Sequence, residues 1–125
     1  MGMDCQLTAL DALIEAVEAG TWPEDWREVT RALTLHPDER HIHAKRAFNG
    51  SHDAALALHE ALLPGWGWSL SAHSGSIGKY TQDAMVDAIN PFRCYGANSS
   101  TPVRAWLLSI LKAYRATLEQ IKDMS

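Results

Sequence analysis

Three groups of residues in this chain have the types and spacing that chemistry uses. The first is histidine. Six are present, with His41-Ile42-His43 the tightest pair and His36 nearby. Two imidazoles one residue apart share a face only on extended backbone. A metal site also needs three or four converging ligands, and no cysteine joins these. His59 lies beside Glu60 in a helical stretch without the second histidine of a helical zinc motif. Solvated loop histidines are the simpler reading, and no metal or other cofactor is expected. The second group is Gly75-Ser76-Ile77-Gly78-Lys79-Tyr80-Thr81, which has the outline of a phosphate loop. A Walker A loop needs glycine five positions before its Gly-Lys pair, where this chain has His73. Tyr80 also stands where a short hydroxyl would hold magnesium, so the segment reads as a hairpin. No Gly-x-Ser-x-Gly elbow occurs, and neither Cys5 nor Cys94 sits in a nucleophile signature. Nothing in the sequence points to catalysis.

The third group is Gly96-Ala97-Asn98-Ser99-Ser100-Thr101-Pro102, small polar residues that feed a helix start. Free N–H groups and the helix dipole favour an anion at such an end. Arg93 lies upstream, and Arg104 falls in the first helical turn, where a cation opposes the dipole. The candidate ligand-binding residues are therefore Arg93, Asn98, Ser99, Ser100, Thr101 and Arg104. The competing reading is a well-made N-cap with two surface arginines.

These groups must be positioned by helices and a small sheet. Leu10, Leu13, Ile14 and Val17 recur at helical spacing, with Thr8 and Asp11 as a start signal and Gly20 as the stop. A second helix is predicted from Thr21, with Glu24 as capping-box partner and Pro23 in its first turn. Its apolar face would be Trp22, Trp26, Val29 and Leu33, and Pro37 would end it. Residues 36–50 are polar apart from Ile42 and Phe48 and read as a loop with one helical turn. Asn49-Gly50 is a turn signal, and Ser51 caps a third helix carrying Ala55, Leu58 and Leu62.

Pro64-Gly65 stops that helix. Trp66, Trp68, Leu70 and Ala72 then alternate with small polar residues, the period of a strand with one apolar face. Ser74-Gly75-Ser76 is the predicted hairpin turn. Further strands are predicted over Ala84–Ile89 and Arg93–Gly96. Thr101 caps the last helix with Pro102 at its first position, and Val103, Trp106, Leu107, Ile110, Leu111, Tyr114 and Leu118 line one side. Five tryptophans are many for this length. Trp26 and Trp106 read as core, and Trp66 and Trp68 as strand residues covered by helices, with one of the pair a candidate stacking platform at the rim.

The chain has 125 residues, enough for a single domain whose core needs neither metal nor disulfide. A hydrophobic fraction of 46% and a charged fraction of 21% place it among ordinary globular chains. A net charge of −4 disfavours duplex nucleic acid, because no basic stripe is present to neutralise phosphates. No apolar run is long enough to span a membrane, and Asp4 stands where a secretory leader would be basic. Two distant cysteines read as free thiols in a reducing compartment, which gives a cytoplasmic expectation.

Four stretches together resemble a known group: Ala47-Phe48-Asn49-Gly50-Ser51, Asp53-Ala54-Ala55, Leu63-Pro64-Gly65-Trp66-Gly67-Trp68-Ser69 and Thr101-Pro102-Val103-Arg104-Ala105. In order and type they resemble the phage ABA-sandwich domain proteins of tailed phages and prophages, over roughly residues 47–115. The resemblance implies an α+β fold with a small antiparallel sheet of about three strands packed between helices, with N-terminal helices added. Residues 1–46 would be a helical segment and 47–125 the sandwich core of a single domain. It implies no catalytic residues, and a life in the bacterial host cytoplasm. The layout is also loosely similar, at fold level only, to phage sponges that trap cyclic ADP-ribose-type immune signals.

The expected function is thus a non-enzymatic phage protein that sequesters an anionic, nucleotide-like host immune signal, as a homo-oligomer. One alternative is a direct inhibitor of a host defence protein, of anti-CRISPR type, presenting Glu15, Glu18, Asp25 and Glu28 to a basic channel. The other is a metal-dependent hydrolase built on the histidine cluster.

Overall fold

The computed structural model describes residues 2–24, 26–33, 40–74, 80–89, 92–99 and 101–124. Their order is α1 (Gly2–Glu18), α2 (Trp26–Leu33), α3 (Arg40–Phe48), α4 (His52–Leu62), β1 (Gly67–Ser74), β2 (Tyr80–Ile89), β3 (Phe92–Ser99) and α5 (Pro102–Met124). These helices and the antiparallel sheet, in strand order β1-β2-β3, make the chain α+β, as its sequence predicts. Among the described residues no helix is long and apolar enough to cross a membrane.

Helix α1 starts well before the Thr8 signal, which lies inside it. It ends as predicted at Gly20. The Gly20 amide donates to the Val17 carbonyl (3.0 Å) and the Thr21 amide to the Ala16 carbonyl (2.9 Å), with Gly20 at φ 83°. This closure needs a left-handed residue, where a Cβ is strained and glycine is not. Thr21 thereby finishes α1 instead of opening α2, and its hydroxyl also donates to the Ala16 carbonyl (3.1 Å). The predicted capping box at Thr21 does not form. Residues 21–24 are a non-helical connector, and α2 begins at Trp26.

The polar stretch 36–50 departs further from its reading. A nine-residue helix, α3, occupies Arg40–Phe48. Its buried stripe is Ala44, Ala47 and Phe48, two of them too small to register as an apolar face. His36 and Pro37 lie outside the described residues. Ser51 caps α4 as predicted, its hydroxyl accepting from the Ala54 amide (3.2 Å). After α4 the Trp66 amide donates to the Leu63 carbonyl (3.1 Å) across Pro64-Gly65, and Gly65 has φ 84°. Proline second and a left-handed glycine third are what a type II turn requires.

Both later strands are longer than predicted. β2 starts at Tyr80 and β3 runs on to Ser99, with Gly96 opposite Met85 and Ser99 opposite Gln82. Gly96–Ser99 is thus strand and not a loop feeding the last helix. Its residues have weak strand preference, but ladder pairing with β2 gives their backbone groups partners. The predicted turn at Gly75-Ser76 lies outside the described residues, between the paired Ser74 and Tyr80.

The layer order also differs from a sheet packed between helices. Helix α5 contacts all three strands on one side and α1, α3 and α4 on the other. Ala84 and Val86 are buried, while on the opposite sheet face Ser69, Cys94 and Gly96 are exposed and Met85 is 44% exposed. The sheet is an outer layer and α5 the middle one. Accordingly α5 is buried nearly all round from Val103 to Ala113, not along a single stripe. Ala105, Ser109 and Ala113 recur every fourth residue, and the Ser109 hydroxyl lies 3.0 Å from the Ala84 carbonyl of β2. Small side chains at that spacing let the helix lie close on the strand.

The N-terminal helices share this core. Leu10, Leu13 and Val17 of α1 are buried in the same cluster as Leu107, Ile110 and Leu111 of α5. Each such side chain contributes about 1.5–3 kcal/mol by leaving water. Inside the contact, the Gln6 side-chain amide donates to the Ala32 carbonyl and to the Tyr114 hydroxyl (both 3.2 Å), which in turn donates to the Leu33 carbonyl (3.1 Å). At the rim Arg115 makes a two-pronged contact with Asp11 and a second one with Glu119 (2.6 Å). The hydrogen bond to Asp11 is the main cause raising the Arg115 guanidinium further above its ordinary value.

Candidate functional site

The described side chains at the start of the last helix, Thr101 and Arg104, are engaged within the fold. Thr101 caps α5, its hydroxyl accepting from the Arg104 amide (3.1 Å), so this end satisfies part of its own donor set. The Arg104 side chain turns away from the helix start. Its guanidinium carbon lies 4.0 Å over the Phe48 ring, and Nη2 donates to the Phe48 carbonyl (3.1 Å). Arg93 stands near the start of β3 and Ser99 at its end. Six residues of strand separate their backbones by about 20 Å. The side chains of Arg93, Asn98 and Ser99, and the whole of Ser100, lie outside what the structure describes. Arg104 thus ties α5 to the end of α3.

The other groups of chemically capable residues resolve in the same physical way. His41 and His43 lie on helix α3, where two positions along the chain fall on different sides of the axis. Among the described residues no three His, Cys, Asp or Glu side chains could hold a metal ion. On α1, Glu18 pairs with Lys112 (3.3 Å), while Glu15 is exposed; Asp25 and the Glu28 side chain are outside the described set. Cys5 and Cys94 are exposed free thiols.

Three of the tryptophans around the sheet have different surroundings. Trp106 is core. Its indole N–H donates to His59 Nδ1 (3.3 Å), and His59 Nε2 meets the Trp66 carbonyl at 2.9 Å. An indole only donates, so Nδ1 accepts and the ring proton sits on Nε2. Trp66 is half-buried and stacks on Tyr95 with centroids 6.2 Å apart. Trp68, expected beneath helices, is 46% exposed, with one ring face stacked on Trp106 (4.3 Å). It belongs to β1, a strand at the sheet edge, where no further strand shields it.

Trp22 forms the most site-like feature. It stands on the connector after α1, half-buried, with its ring 5.2 Å from that of Phe48. Phe48 is in turn covered by Arg104, so guanidinium, phenyl and a tilted indole form a contact chain joining α5, α3 and the connector. Trp22 also walls a cleft of about 610 Å³. Its walls are Trp22, Pro23 and Glu24 on the connector, Val29 on α2, and Ile42, Lys45, Arg46 and Asn49 on and just after α3.

The volume is that of a small-molecule site. Four of the eight lining residues are apolar and four are polar or charged, a wall for packing beside groups that can orient a ligand. Lys45 and Arg46 occupy the last turn of α3, where the dipole favours cations. Among the described residues neither has a carboxylate partner. Glu24 contributes one negative charge, so these three leave the cleft net positive on an acidic chain. The arrangement can bind an anion against an aromatic and aliphatic wall.

The sequence does not announce this cleft, because α3 is hidden in a polar stretch. Phe48 and Trp22 are visible as aromatics, but nothing local says that residues 26 positions apart meet. Comparison of the chain with protein-family models, curated proteins and solved structures found no match.

Proposed function

We propose that this chain is a non-enzymatic binding protein that sequesters a small anionic molecule in the Trp22 cleft. One observation carries the reading. Lys45 and Arg46, without a carboxylate partner among the described residues, stand beside the Trp22, Val29 and Ile42 wall of a 610 Å³ cleft. Cations alone at a helix end are ordinary solvated charges. Cations at the mouth of an aromatic-walled cleft of ligand size attract an anion and give its remainder somewhere to pack. The resemblance to phage ABA-sandwich domain proteins suggests the setting of counter-defence, with a nucleotide-like host signal as the anion. In that setting the protein acts by stoichiometric capture, and turnover is not required.

The test is thermal unfolding in the presence of cyclic dinucleotides, ADP-ribose derivatives and simple phosphate esters. A ligand at 100 times its Kd stabilises the folded chain by about 2.7 kcal/mol, several degrees for a domain of this size. Lys45→Glu/Arg46→Glu, which changes two exposed side chains, is expected to remove the shift without altering the unliganded midpoint by much. A panel that moves the wild-type midpoint nowhere refutes the proposal, as does a shift that the double variant retains in full.

A further inference from the structure

The cleft has a neighbour of opposite character. On the other side of the connector, a second cavity of about 290 Å³ lies against α1. Trp22, Pro23 and Val29 line both spaces. The far wall of the second is Ala9, Ala12 and Ala16, one helical side of small residues that leaves room where longer side chains would fill it. Among the described residues its one hydroxyl is that of Thr21, whose proton is committed to the Ala16 carbonyl (3.1 Å). No charged side chain lines it among the described residues.

Resting on the anion-binding reading above but not on its nucleotide-like ligand, we infer that the ligand is an amphiphilic anion. Its phosphate or carboxylate sits at Lys45 and Arg46, and a flexible alkyl or acyl chain crosses Trp22-Pro23 into the alanine-walled cavity. The two halves of the site ask for different chemistry. The cationic cleft rewards negative charge. The second cavity, exposed at its Ala12 and Thr21 rim, offers a nucleobase edge few partners along its alanine wall. Methylenes lose nothing there, and each one buried strengthens binding about fourfold. A free amphiphile is favoured over a membrane surface because the chain is acidic overall and, among the described residues, two cations line the cleft.

A homologous series on the full-length protein tests this: methyl, butyl, hexyl and octyl phosphate, each below its micelle concentration, followed by calorimetry or by NMR titration. Affinity is expected to climb by about fourfold per methylene until the cavity is full, so octyl phosphate binds at least ~50-fold tighter than methyl phosphate. Ala12→Leu, at an exposed position on α1, is expected to flatten the climb while leaving methyl phosphate unaffected. Lys45→Gln/Arg46→Gln is expected to weaken every member alike and keep the climb.

Equal affinity along the series overturns the inference while the anion cleft stands. Binding of adenosine monophosphate without binding of octyl phosphate does the same. If no phosphate ester binds, both readings fall together. Co-sedimentation with phosphatidylglycerol vesicles without binding of free octyl phosphate also overturns it, in favour of a lipid surface.

Discussion

Replacing His59 by leucine tests the polar junction beneath the sheet. His59 is buried, and its two ring nitrogens serve two different elements: the indole of Trp106 on α5 and the Trp66 carbonyl at the entrance to β1. Leucine keeps most of the apolar volume, so the loss is electrostatic more than steric. The Trp106 N–H, on a side chain 1% exposed, is left without an acceptor, costing about 1–3 kcal/mol. The Trp66 carbonyl is only partly buried and recovers some of its loss from water, adding about 1 kcal/mol or less. The expected destabilisation is about 1–4 kcal/mol. Trp106→Phe orphans the other partner, the Nδ1 lone pair, and leaves a small void as well, for a similar total.

In the double variant both halves of the broken bond are gone. The two single losses should therefore exceed the double loss by about 1–2 kcal/mol. Urea unfolding followed by far-UV circular dichroism gives all four values, avoiding fluorescence from a chain with five tryptophans. Additivity to within about 0.5 kcal/mol would show that indole and imidazole do not interact, and the proton assignment on Nε2 would fall with it.

Three further outcomes follow from the geometry. Arg104→Lys keeps the charge but loses the flat stack on Phe48 and the fork that reaches its carbonyl, so urea denaturation should show a loss of about 1–2 kcal/mol. Thr101→Ala removes the hydroxyl that caps α5 and is expected to cost about 1 kcal/mol by the same measurement, while Thr101→Ser restores it. Asp11→Asn weakens a half-exposed contact with Arg115, worth about 0.2–1 kcal/mol. The difference from wild type should shrink when unfolding is repeated at 1 M salt.

Local signals in the sequence determined much of this protein. Gly20, Ser51, Pro64-Gly65 and Thr101 each mark a boundary because backbone geometry and capping are settled within a few residues. Alternation from Trp66 to Ala72 marks β1, and the stripe from Val103 to Leu118 marks α5. The elements that escape such signals have the opposite character. Helix α3 hides in a polar stretch because alanines anchor it, and only the packing of α4 and α5 against them makes the stripe apolar enough. β3 extends through Gly96–Ser99 because β2 offers a ladder there, which no local preference announces.

The site shows the same division. Arg104 in a first helical turn reads locally as a cation awaiting an anion; in the fold, Phe48 lies 56 residues away in sequence and takes it. Trp22 reads as a face of α2, yet it packs at a tilt on Phe48 and walls the cleft with Lys45 and Arg46. Residue types and spacing thus determined the elements and supplied the right cations and aromatics. Tertiary structure alone decided which of them meet, because such contacts are set by how α5 packs the helices on one side and the sheet on the other, at separations no local pattern spans.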